Sequence, residues 1–101
     1  MSENYPEITK LLRAHDRGET GALDEVIRFI YDDLRSLARR QLGAGSSGRT
    51  LDTTALVHEA YVRLVDRRGA TWNNRRHFLA AAATAMRHVI VDRVRERMAA
   101  K

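Results

Sequence analysis

ALDEVIRFIYDDLRSLARRQL, residues 22–42, decides the fold class. Leu23, Val26, Ile27, Ile30, Leu34, Leu37, Ala38 and Leu42 recur at three- and four-residue spacing, forming one apolar stripe. Asp24, Asp32, Arg35 and Arg39 fall outside it. A half-buried strand would instead alternate with a period of two. The spacing therefore predicts a long amphipathic helix that must bury one face against other elements.

The same period extends in both directions. Upstream, Ile8, Leu11 and Leu12 mark a short first helix ending near Gly18, followed by a tight turn. Downstream, the segment 43–50, opening GAGSSG, combines glycines with small polar side chains and reads as a flexible loop between two helical hairpins. Asp52 or Thr53 can cap a third helix whose stripe is Leu56, Val57, Ala60, Tyr61, Leu64 and Val65, ending near Gly69. A polar connector, ATWNNRRH at 70–77, leads to a fourth helix expected from about Phe78 to near the C-terminus. Its stripe is Leu79, Ala82, Ala83, Met86, Val89, Ile90 and Val94, and the small residues of 80–85 suit close helix packing. No run suggests a strand. The expectation is one all-α domain over residues 1–101, a compact bundle of three to four helices.

Apolar residues at 44% and charged residues at 31% are enough for a packed core and argue against disorder. The absence of cysteine excludes disulfides and thiolate zinc sites and suits a reducing compartment. There is no export signal and no apolar run long enough for a membrane span, so the expected location is cytoplasmic. His58 and Glu59 begin like a helical zinc-protease motif, but Val62 stands where the second histidine is required. Ser46 and Ser47 have no base held in register. The reading is therefore of a protein that is not an enzyme and needs no metal or other cofactor.

Charge is unevenly distributed. Residues 1–66 hold nine Lys/Arg against eleven Asp/Glu, a balance of −2, while residues 67–101 hold nine against two, a balance of +7. Such a basic pole is either a solvated tail or a site for a polyanion, of which nucleic acid is the common case. Within it, Trp72, Asn73, Asn74, Arg75, Arg76 and His77 gather an indole, amides and cations. That mixture serves an unpaired strand by stacking, edge recognition and backbone contact. Trp72 has a second reading, as a plug closing the end of the bundle. On the fourth helix, Arg87, His88, Val91 and Arg95 share a side suited to phosphates, with Asp92 placed to orient His88 or Arg95 locally. On the third helix, Ala55, His58, Glu59, Val62 and Asp66 lie opposite the stripe, a mixed face that is either solvated or available to a protein partner.

The segments TLDTTALVHEAYVRLVD (50–66) and WNNRRHFLAAAATAMRHVIVDRVR (72–95) together resemble region 2 of bacterial sigma factors of the extracytoplasmic-function (ECF) type, in the subgroup with a TTALVHEAY-like helix. The resemblance covers most of the chain. It implies a non-catalytic bundle that docks on the clamp of the largest RNA polymerase subunit and melts the promoter minus-ten element by capturing unpaired non-template bases. Carried over by position, clamp docking would fall on Ala55, His58, Glu59, Val62 and Arg63, with help from the second helix. DNA contact would fall on Trp72, Asn73, Asn74, Arg75, Arg76, Arg87, His88, Val91 and Arg95. Ala55 stands where many members are acidic, His58 where many carry glutamine, and His88 where a base-pocket asparagine is frequent. The implied partners are the polymerase core and partly single-stranded promoter DNA, with an anti-sigma factor as a further candidate. Complete members carry a second helix-turn-helix domain (region 4), for which the sequence after Arg97 leaves no room, so the chain is expected to be either a fragment, the favoured reading, or a naturally short form. Two other readings stay open: a helical protein-interaction module without base capture, and a duplex-binding repressor. The latter lacks the short helix and tight turn that would precede its reading helix.

Overall fold

A computed structural model describes residues 4–43, 52–66 and 71–99, with side chains from residue 8 onward. Four helices follow in order: α1 (Asn4–Asp16), α2 (Ala22–Leu42), α3 (Thr53–Val65) and α4 (Arg75–Ala99), with no strand among the described residues. The fold is an all-α bundle. The expected loop at 43–50, Gly43 apart, and the expected end of α3 at Gly69 lie outside the described residues.

The α1–α2 corner is built on glycines. Gly18 takes φ +85°, its N–H donates to the His15 carbonyl at 2.9 Å, and Glu19 N–H donates to the Ala14 carbonyl at 3.0 Å. This paired closure satisfies carbonyls that the helix end leaves orphaned, and it requires a left-handed residue at Gly18. Gly21, also at φ +85°, then opens α2.

The predicted stripe of α2 faces the core: Leu23, Val26, Ile30, Leu34 and Ala38 are buried, and Ile27, Leu37 and Leu42 pack at its margin. α2 touches all three other helices and is the hub of the bundle. It bends at Ile30 (φ −117°, ψ 19°), with Phe29 and Tyr31 exposed on either side. No proline or glycine accounts for the bend.

Helix α3 starts as expected: Asp52 caps it, its carboxylate accepting from Ala55 N–H at 2.8 Å. It buries Leu56, Val57, Ala60 and Leu64, and Tyr61 is partly buried. Val65, expected in the stripe, is 46% exposed at the last residue of the helix, beside the buried Leu64.

Helix α4 departs most from expectation. It begins at Arg75, three residues early, and buries Phe78 and Ala85 as well as Ala82, Met86 and Val89. Val94 is 47% exposed, because the core ends near Val89 and the last turns of α4 project beyond it. The apolar period continues in sequence after the packing that normally explains it has stopped.

Candidate nucleic-acid interface

The WNNRRH connector is mostly committed to the fold. Trp72 is 4% exposed, with its ring stacked on His15 (centroids 5.6 Å apart, 21° between planes) and meeting Phe78 edge-on at 5.1 Å. The indole closes the end of the core, so the plug reading holds, and Trp72 offers no free face for stacking a base. The apolar period could not reveal this, because Trp72 precedes α4 and its stacking partner His15 lies on α1.

Asn74 caps α4. Its side-chain oxygen accepts from His77 N–H at 2.9 Å and its carbonyl accepts from Phe78 N–H at 3.0 Å. In return His77 Nδ1 accepts from Asn73 N–H at 3.1 Å, a reciprocal arrangement close to a capping box. Asn ahead of an apolar run, with a polar acceptor three positions on, is a helix-start signal, and it places the start of α4 before Phe78. Arg75 forms an ion pair with Asp33 on α2. Of the six connector residues, Asn73 and Arg76 leave their side chains exposed without such a role.

Further along α4, Arg76, Ala80, Thr84, Arg87 and Val91 succeed one another at three- and four-residue steps, with His88 and Arg95 beside them. All are exposed except the half-buried Thr84, and Val91 is 44% exposed. Among the described residues, Arg87 makes only a long 3.4 Å hydrogen bond to Thr84 of its own helix. Arg76 and Arg95 have no ion pair among the described residues. This stripe rises about 28 Å from Arg76 to Arg95 at 1.5 Å per residue. Asp92 turns away from it and pairs with Arg63 of α3 at 2.8 Å, so it does not orient His88 or Arg95.

On α3 the expected face divides in two. Glu59 pairs with Arg93 and Arg63 with Asp92, two ion pairs that tie α3 to α4. Ala55 is half-buried against the core. His58 and Val62 remain exposed, Val62 at 44%. They adjoin a surface shared with α2, where Asp24, Arg28, Tyr31 and Arg35 form one helical row. The ends of that row reach α3: Tyr61 OH donates to Asp24, and Arg35 donates to Thr54 Oγ1 at 2.8 Å. Burial, then the Asp24 hydrogen bond and charge, push the Tyr61 hydroxyl up to about 12. Between these two ties, Arg28 and Tyr31 on α2 and His58 on α3 are left exposed. Tyr31 is a contribution to this side that the periodicity of α2 did not single out.

No group of residues suited to a metal ion occurs among the described residues. No described helix is long and apolar enough to cross a membrane.

These features define a small helical bundle that exposes one cationic and one mixed helix face. The family model for ECF sigma factors matches residues 5–101, and the chain belongs to that family. It is thus a sigma-factor domain of transcription initiation, whose partners as a family are the RNA polymerase core and promoter DNA. No curated protein and no solved structure matches the chain.

Proposed function

We propose that this domain docks on the clamp of RNA polymerase and holds the minus-ten element open by binding its unpaired non-template strand. The observation that carries the DNA half is the outer stripe of α4, where Arg76, Arg87, His88 and Arg95 are exposed on one side with no ion pair among the described residues. A rigid helix presenting separated cations follows a phosphate backbone, while His88 and Val91 between them supply a ring and an apolar contact for a base. Asn73, at the start of the stripe, adds an exposed amide. Melting would proceed by differential binding: unstacking a step costs a few kcal/mol, and capture of the exposed base offsets that cost. Trp72 has no part in this reading, because its ring is occupied by His15 and Phe78.

The docking half rests on the α2–α3 side, where His58, Val62, Arg28 and Tyr31 make a mixed polar and aromatic patch of the composition found at protein interfaces. Glu59 and Arg63 support that patch by bracing α3 on α4.

The test is a titration of labelled single-stranded minus-ten oligonucleotide, scrambled single strand and duplex at matched salt. The promoter strand is expected to bind tightest, and His88→Ala to remove its advantage over the scrambled strand. Equal affinity for all three would leave base capture without support and favour an interaction module that binds protein alone.

A further inference from the structure

We infer that a second cationic surface, between α1 and the start of α4, carries the phosphodiester backbone of the DNA strand beyond the α4 stripe. The inference rests on reading α4 as a DNA face and extends it to residues of α1. Two adjoining concavities of about 330 Å³ each share Thr9: one is lined by Thr9, Asn74, Arg75 and Arg76, the other by Thr9, Lys10, Arg13 and Arg17. Arg76 belongs both to the first concavity and to the α4 stripe, so the two surfaces are continuous.

Among the described residues, every charged side chain lining the two concavities is cationic. Of these five cations, Arg17 is paired with Glu19 at 2.9 Å and Arg75 with Asp33. Lys10, Arg13 and Arg76 are exposed and have no ion pair among the described residues. Asp16 is exposed on α1 but lines neither concavity. Lys10, Arg13 and Arg17 repeat at three- and four-residue spacing on the side of α1 away from buried Ile8 and Leu12, so their charges form a row. Three cations without an ion pair among the described residues, beside hydroxyl and amide groups, suit successive phosphates and carry no base readout, since cations and small polar groups contact phosphate whatever the sequence. Residues 1–66 as a whole balance at −2, which hides this row in a count of charge along the chain.

The experiment measures single-strand affinity against salt for the 101-residue chain, for Lys10→Ala/Arg13→Ala and for Arg87→Ala/Arg95→Ala. A graded Lys10→Glu/Arg13→Glu variant is added, and circular dichroism checks that each variant folds. Each neutralised phosphate contact changes the slope of log K on log salt by about 0.7 for a single strand, so the α1 pair should flatten it by about 1.4, equally for promoter and scrambled sequences. The α4 pair should flatten it independently. An unchanged slope in both α1 variants with a flattened slope in the α4 variant would overturn the groove and leave base capture on α4 standing. Unchanged slopes in all variants would overturn both. Binding to polyglutamate that depends on Lys10 and Arg13, without any such dependence for DNA, would also overturn the groove as a DNA site.

Discussion

Single residues near the α4 start hold the fold where their chemistry suggested recognition. Trp72 buries a large ring between His15 and Phe78, and removing such a ring from a packed site costs about 3–5 kcal/mol. Trp72→Ala should therefore lower the midpoint of urea unfolding strongly, while the affinity for single-stranded DNA, measured where the variant is still folded, should stay within about twofold. A selective loss of DNA affinity at unchanged stability would return Trp72 to the DNA surface. Asn74→Ala, which removes the α4 cap, should cost about 1 kcal/mol by the same measurement. Tyr61 offers a pH signature. Its hydroxyl ionises at about 12 in the folded chain against about 10 when unfolded, so folding favours the neutral form. Its contribution is complete below pH 10 and is lost as pH rises from about 10 towards about 12. The stability difference between the native chain and Tyr61→Phe should accordingly shift against the native chain across that window, and a constant difference would contradict the burial of the hydroxyl together with its tie to Asp24.

Between helices, the pairs Glu59–Arg93 and Arg63–Asp92 brace α3 on α4 with opposite polarity, acid on α3 in one and on α4 in the other. Both are partly exposed, so a double-mutant cycle on Glu59→Ala and Arg93→Ala should give a coupling of about 0.5 kcal/mol that declines with salt. The helices themselves were legible: the stripe of α2 and, apart from Val65, that of α3 match the buried faces because, within the bundle, apolar spacing and packing coincide. That correspondence fails on α4 at Val94, where the spacing continues past the end of the core, and at Phe78 and Ala85, which the expected stripe passed over. The site was half legible. Arg87, His88, Val91 and Arg95 lie on one exposed side of α4, as their spacing implies. Arg75, Glu59 and Arg63 were not anticipated as braces, because their partners Asp33, Arg93 and Asp92 lie on other helices, and helical spacing carries no information about which helices become neighbours. Lys10 and Arg13 escaped notice for the same reason: only the folded chain brings their row alongside Arg76.

For the whole molecule, the two proposed surfaces use different helices, and this makes them separable. The docking patch joins α2 to α3 through Arg28, Tyr31, His58 and Val62, whereas the DNA stripe runs along the outer side of α4 and into the α1 groove. Exposed substitutions on surfaces with no shared partner act additively. Tyr31→Ala/His58→Ala should weaken binding to an isolated clamp fragment about tenfold, equivalent to about 1.4 kcal/mol, while leaving oligonucleotide affinity unchanged. Arg87→Ala/His88→Ala should do the reverse, and the combination should lose both affinities by the sum of the separate effects. Glu59→Ala, by contrast, should reduce clamp binding only as far as it loosens α3, so its loss should shrink at lower temperature as the bundle tightens. If Glu59→Ala abolishes clamp binding while the unfolding midpoint stays unchanged, Glu59 contacts the clamp directly and the brace to Arg93 is secondary.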